Sequence, residues 1–355
     1  FEREYVPRAN IYTVEESNYF LDDGRFALDY FINGDKKIRE NIELVISNMY
    51  DAKEYGSIVD IESVDFNILK QRFQELKRGN MSFLTHIIFA KILPLVNVAE
   101  VMSQKYHVVV TNPPYMGGAG MNEKLAQYVK KNYPDSCSDL FAVFIEKCKK
   151  MAVEGGFVAM ITQHSWMFLS SYEKLRDKIQ NIVIENMIHL GPRAFEEIEG
   201  EVVQTASFIL RNIKISDYKG IYARVVNGNS QDKKEEIFLA GTNRYGISQE
   251  EFKKIPGKPV AYWAYKNLIR AFETGKKMEM VLDVRQGLAT GNNSEFLRLW
   301  HEVELVNCKW DSKSAEDLFE SGKRWIPYNK GGKYRKWYGN YDYLIKFDRE
   351  NYEKL

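Results

Sequence analysis

Apolar residues at Ile38, Ile42, Val45, Ile46 and Met49 recur on one face of a 3.6-residue period and predict an amphipathic helix. Phe66, Leu69, Phe73 and Leu76 predict a second. A third begins near Leu84, runs through Ile87 and Ile88 and is disturbed by Pro94. The pattern then changes. Residues 108–110 form a short continuous apolar run that Pro113 and Pro114 end, which predicts a buried strand. Helices are predicted over 123–131 and 139–151, the latter with Leu140, Phe144, Ile145 and Cys148 inward and Gly155-Gly156 as its stop. Residues 157–161 read as a second buried strand, 171–180 as a helix, and 187–190 and 202–210 as further strands. Asp22-Asp23-Gly24 and Asn33-Gly34 break up the polar, turn-rich first 35 residues. Strands alternating with helices predict an α/β chain built on a doubly wound sheet with helices on both faces and ligands at the carboxyl ends of its strands. Past Arg211 helical periodicity fades and aromatic residues sit among basic ones, so a domain boundary is expected within 212–220.

Composition narrows the class without naming a function. At 355 residues, 45% hydrophobic and 14% aromatic, the chain has material for two packed domains. No apolar run in the sequence reaches the eighteen or so residues of a membrane span, no signal peptide opens it, and no membrane partner is expected. It begins with Phe1, which suggests a segment of something longer. Cys137, Cys148 and Cys308 form no CxxC pair and the five histidines lack a ligand spacing, so a reducing cytoplasm and no structural metal are expected. Residues 1–215 hold 25 Lys and Arg against 29 Asp and Glu, a net −4, and residues 216–355 hold 25 against 20, a net +5. An anionic partner should lean on the second part.

The candidate chemistry lies where the strand at 108–110 stops. Asn112-Pro113-Pro114-Tyr115 leaves it rigidly, because each proline lacks an N–H and fixes φ near −65°. The Asn112 side-chain oxygen and the Pro113 carbonyl are then two acceptors in fixed relation, suited to an amino group with two hydrogens, such as adenine N6. Tyr115 supplies a flat face for a planar base. Met116-Gly117-Gly118-Ala119-Gly120 follows as a mobile glycine loop.

This tetrapeptide resembles the motif of N6-adenine DNA methyltransferases. The text around it is similar to the PglX-like methyltransferases of BREX phage defence. The similarity runs through Thr111–Gly118, Tyr133-Pro134-Asp135-Ser136, residues 138–144, 163–172 and 200–205, and on to Ile255-Pro256-Gly257, Ala261-Tyr262-Trp263 and residues 287–291. It implies methyl transfer from S-adenosylmethionine to a flipped-out adenine of double-stranded DNA, inside a bacterial cytoplasm and alongside other defence-system proteins. It further implies that residues 1–215 are the later part of a catalytic domain and that 216–355 start a β-rich target-recognition domain. Asn112 and Pro113 would hold N6, Pro114 would stiffen the turn, and Tyr115 and Phe195 would stack on the two faces of the base. Asp51, in Asp51-Ala52-Lys53-Glu54-Tyr55-Gly56-Ser57, would line the cofactor's adenine. The glycine-rich turn that holds the cofactor's methionine end in this class has no counterpart in residues 1–106, so these residues alone are expected to bind the cofactor weakly and to be inactive.

Residues 323–338 carry Lys323, Arg324, Lys330, Lys333, Arg335 and Lys336, interleaved with Trp325, Tyr328, Tyr334, Trp337 and Tyr338 and with no acidic residue. Such a stretch either contacts DNA phosphates and bases or packs as an aromatic β core with solvated lysines. Pro134-Asp135 with Glu146-Lys147 lacks the spacing of a metal-dependent nuclease core. Two alternatives stay open: a protein glutamine methyltransferase, whose substrate also presents an NH₂, and a non-catalytic DNA-binding module.

Overall fold

The computed structural model describes residues 9–21, 24–195, 203–283 and 287–355. Asp22, Asp23 and residues 200–202 of the sequence patterns above lie outside them. The chain divides into two compact units, Phe1–Gly275 and Lys276–Leu355.

The first unit opens with helices Arg25–Ile32, Lys36–Asn48 and Phe66–Arg78. Asp35 caps the second of these by accepting from the Lys37 and Ile38 N–H groups, and its apolar face (Ile38, Ile42, Val45 and Ile46) is buried as the periodicity predicts. These helices share a core with the segment from Phe83 to Ser103. That segment is helical throughout, but a π turn at Ile88–Ile92 precedes Pro94, whose missing N–H removes one rung of the ladder. At 21 residues it is long and apolar enough to cross a membrane, contrary to the expectation from the sequence. Here Ile88, Ile92, Leu95, Val96 and Ala99 are buried against the other helices instead.

The sheet follows. Its strands are β1 (Tyr106–Thr111), β2 (Ala152–Gln163), β3 (Val183–Gly191), β4 (Thr205–Arg211), β5 (Lys219–Arg224) and β6 (Arg244–Ser248), in the order β1-β2-β4-β3-β5-β6. It is mixed. β1 runs parallel to β2 and β3 to β5, while β4 lies antiparallel between β2 and β3, and β6 antiparallel to β5. β1, β2, β3 and β5 therefore all end along one rim of the sheet.

One face of the sheet, with Val158, Met160, Phe208, Leu210, Met187 and Tyr222, packs on helices Leu140–Met151 and Glu173–Ile179. The other leaves Val108, Val110, Phe157 and Ile221 exposed, so helical cover on that side is incomplete among the described residues. Gly155-Gly156 does not stop the helix, which ends at Met151. These glycines sit inside β2 at a bulge, where the register against β1 shifts. Gly155 has φ +73°, and a Cβ on Gly156 would lie 3.0 Å from the His107 carbonyl.

The composition change near 212–220 is not where the compact units part. β5 pairs onto β3 and β6 onto β5, and the first unit runs on to Gly275. The second unit is a small antiparallel sheet of β7 (Leu297–Leu299), β9 (Tyr343–Lys346) and β8 (Trp325–Tyr328), with β9 central. Phe296, Leu297 and Ile345 form its core. Short helices such as Ala315–Glu320 make up much of the rest, so it is less β-rich than expected.

Candidate active site at the carboxyl rim of the sheet

β1 ends at Thr111, opposite Met160 of β2, and the chain leaves through the two prolines. Pro113 is buried, which anchors the turn, whereas Asn112 is exposed. No hydrogen bond holds the Asn112 side chain among the described residues, so its amide is free to meet a ligand. Tyr115 is half-buried. Its ring stands edge-on to Phe141 at 6.2 Å, and its hydroxyl donates to the Ile161 carbonyl of β2 at 3.4 Å. Burial pushes the phenol up to about 12, so it stays protonated and keeps that donor.

The glycine loop is less free than expected. Asp139 Oδ1 accepts from the Met116 N–H at 2.9 Å and from the Phe141 N–H at 3.2 Å, capping Leu140–Met151 and clamping the motif with one carboxylate. The Leu140 N–H donates to the Met116 carbonyl and the Gly118 N–H to the Ser138 carbonyl. Burial raises the Asp139 carboxyl above its ordinary value, and the N–H groups it accepts from oppose that. Along the sequence Asp139 reads only as a helix start. Its position before the apolar run Leu140-Phe141-Ala142 marked it as a cap, but nothing local pointed to Met116.

A second cluster on the rim was not foreseen. His164 follows β2, and its Nδ1 lies 2.8 Å from Nε2 of His189 on β3. His189 Nδ1 lies 3.1 Å from the Tyr262 hydroxyl. Phe168 and Trp263 flank the pair, and the Arg224 guanidinium sits over the Trp263 ring. His189 is held neutral, its imidazole pushed down to about 3 by burial and then by His164, Arg224 and Lys234.

Phe195 leaves the same rim after β3 and is half-buried. β3 stands three strand spacings from β1, roughly 14 Å, and no ring contact joins Phe195 to Tyr115. Asp51 lies elsewhere, on a polar cavity of about 690 Å³ that Tyr55, Asp60, Lys124, Tyr128 and Lys150 also line. Both its oxygens are engaged, Oδ1 by Asn18 at 2.7 Å and Oδ2 by Lys124 at 2.8 Å. The hydrogen bond from Lys124 foremost, then that from Asn18, lowers its carboxyl below the ordinary value. As placed, Asp51 ties the segment before Ala52 to helix Glu123–Asn132, with one protein donor on each of its oxygens. Glu146 and Lys147 likewise serve structure, pairing with Lys178 and Asp60.

In the second unit the basic residues divide. Lys323 donates to the Cys308 carbonyl, Arg324 pairs with Asp348 at 2.7 Å, and Lys330 lies over the Tyr343 ring. Lys333, Arg335 and Lys336 are exposed.

Residues 17–195 match the family model described as Eco57I restriction-modification methylase. The chain is 39% identical over 361 residues to a protein of Lacticaseibacillus casei (strain Zhang) named adenine-specific methyltransferase PglX, covering 98% of this chain and 29% of that one. It is 38% identical over 308 residues to a protein of Escherichia coli O9:H4 (strain HS) named adenine-specific methyltransferase BrxX, covering 85% and 25%. The chain thus spans under a third of the length of these relatives. Among solved structures, the type I restriction-modification methyltransferase subunit of Streptococcus thermophilus aligns with TM-score 0.30 at 14% identity, over 42% of this chain and 36% of that one.

Proposed function

Because the chain belongs to the Eco57I restriction-modification methylase family, we propose that the complete protein transfers a methyl group to N6 of adenine in double-stranded DNA, within a bacterial phage-defence or restriction-modification system in the cytoplasm. The observation that carries this reading is the exposed Asn112 amide at the end of a proline-stiffened turn, with Tyr115 held beside it. S-adenosylmethionine, as co-substrate, supplies an electrophilic methyl group. The chain's own residues handle the nucleophile. The Asn112 side-chain oxygen and the Pro113 carbonyl accept the two N6 hydrogens, which draws the nitrogen lone pair out of conjugation with the ring and aims it outward. Pro114 holds the turn. Tyr115 stacks on the base with its exposed surface, while its hydroxyl bond to Ile161 prevents the ring from swinging away.

Phe195 would serve as the opposite wall only if the extruded base reached across the rim from β1 towards β3. Asp51 is assigned to the cofactor's adenine: each of its oxygens holds one protein donor and keeps a second acceptor site. Lys323, Arg324, Lys330, Lys333, Arg335 and Lys336 are assigned to the DNA backbone. Of these, Lys333, Arg335 and Lys336 need break no ion pair with a described residue and no ring contact within the second sheet's core to reach it.

The test is incorporation of labelled methyl into DNA and into protein by the complete protein and its Asn112→Ala variant. Label in DNA that falls at least 100-fold in the variant, with DNA binding retained, is the expected result; losing one such preorganised acceptor costs about 10²–10³ in rate. Label in protein glutamine, or an undiminished rate in the variant, would refute the reading.

A further inference from the structure

The connection between β8 and β9, residues 329–342, exposes its largest side chains. Tyr334, Trp337 and Tyr338 are 87%, 86% and 82% exposed. Rings of this size normally supply core, and three together in water mark a surface that something else covers. The core of this unit does not need them, since Phe296, Leu297 and Ile345 close it with Ile326, Tyr328, Tyr343, Phe347 and Leu355.

The loop is also built rather than merely extended. A Cβ on Gly332 would lie 2.9 Å from the Asn340 side-chain oxygen, and one on Gly339, at φ +148°, would lie 2.7 Å from Arg335. Both glycines therefore allow the two limbs to close on each other, and the Asn340 amide donates across to the Lys333 carbonyl. The aromatic tip stands out from that closure. Lys336 lies over the Trp337 ring, and Tyr338 and Tyr341 have ring centroids 4.9 Å apart.

Charge identifies the chemistry of the partner. Residues 329–342 contain Lys330, Lys333, Arg335 and Lys336 against a single acidic residue, Asp342, at the loop's end. Cations spaced between flat rings match a ligand that alternates phosphates with planar bases. A fully paired duplex offers its phosphates but hides its base faces in the stack. Only unpaired bases use both halves of the loop.

We propose that this loop is a stacking site for unpaired bases of DNA, with Trp337, Tyr334 and Tyr338 taking the bases and Lys333, Arg335 and Lys336 the flanking phosphates. This deepens the proposed function, because extruding an adenine leaves neighbouring bases unstacked, but it is tested separately from methyl transfer.

The experiment measures binding of the complete protein to labelled oligonucleotides by fluorescence anisotropy. The probes are a fully paired duplex and the same duplex carrying three unpaired bases. Trp337→Ala should weaken binding to the second probe roughly 5- to 150-fold, the value of one stacked base, and change binding to the first less than threefold. The slope of log affinity against log salt should stay the same, since no cation is lost. Trp337→Tyr should restore most of the loss. Equal affinities of Trp337→Ala and the parent for both probes would overturn the proposal and assign the rings to a protein surface instead. An equal loss on both probes would also overturn it, leaving a loop that supports duplex binding generally. The readout does not depend on methylation: a protein that fails to methylate adenine yet shows the Trp337 preference refutes the proposed function and keeps this inference.

Discussion

Asn112 and Asp139 divide the work at the motif. Asn112 is exposed and unheld, as a group must be if it is to bind a ligand. Asp139 is buried and committed, joining the Met116 N–H beside the motif to the first turn of helix Leu140–Met151. Replacing Asp139 by Ala removes a helix cap and leaves the Met116 N–H unpaired, a loss of about 1–3 kcal/mol. Urea unfolding should report it, and methyl transfer should fall further than stability explains because Met116 adjoins Tyr115. Unchanged kinetics in a folded Asp139→Ala protein would show that the clamp does not position the motif. His189 gives a pH signature. Folded, its imidazole stays neutral down to about 3, whereas in the unfolded chain it takes up a proton below about 6.5. The unfolded state therefore binds more protons between those values, and stability falls as pH is lowered through that window. His189→Gln should reduce that fall by up to about 1.4 kcal/mol per pH unit, measured by urea unfolding from pH 7 to 4. An identical pH dependence in the variant would exclude His189 as its source.

Among the elements, the short turns after β2 matter as much as the helices. Arg176, 1% exposed on helix Glu173–Ile179, donates to the Gly257 carbonyl through Nε at 2.9 Å and Nη2 at 2.6 Å. Its Nη1 donates to the Trp166 and Leu169 carbonyls. One planar guanidinium thus ties the turn after β2 to the segment that leads into Tyr262 and Trp263. Arg176→Met should cost about 3 kcal/mol or more, because three carbonyls lose their donor inside the core. It should also loosen the Tyr262–His189 contact, visible as a shifted His189 ring signal in NMR. A stability change under 1 kcal/mol would mean that water or another donor replaces it. Helices Lys36–Asn48 and Phe66–Arg78 needed no such device to be legible, because burial of one face repeats every three or four residues. The bulge at Gly155-Gly156 was not legible, since two glycines after a helix read as its stop. Only pairing with β1 and with Asn212 shows that they lie inside a strand.

For the whole molecule, charge and connectivity tell different stories. The net positive second part of the chain suggested one partner-facing domain after residue 215. Its first 60 residues instead complete the sheet of the first unit, and the β8–β9 loop of the second carries three closely spaced exposed basic side chains, Lys333, Arg335 and Lys336. Changing Lys333, Arg335 and Lys336 together to Gln should lower the slope of log affinity for duplex DNA against log salt by about 3, at roughly 0.9 per released phosphate contact. A slope unchanged by the triple variant would place the DNA backbone on other residues. The same reasoning predicts little change in the melting temperature, because none of the three makes an ion pair with a described residue.

Local features of the chain were enough for the proline-stopped strand and the helices whose faces repeat at 3.6 residues, since each depends on neighbours a few positions away. The distant pairings were beyond such reading: Asp139 with Met116, His164 with His189, Asp51 with Lys124, and β5 with β3. A carboxylate, an imidazole or a short apolar run carries no mark of which partner it will meet. That choice is made when the sheet assembles and brings residues 23 to 73 positions apart into hydrogen-bond range, and with it which polar groups are consumed by the fold and which, like Asn112, stay exposed.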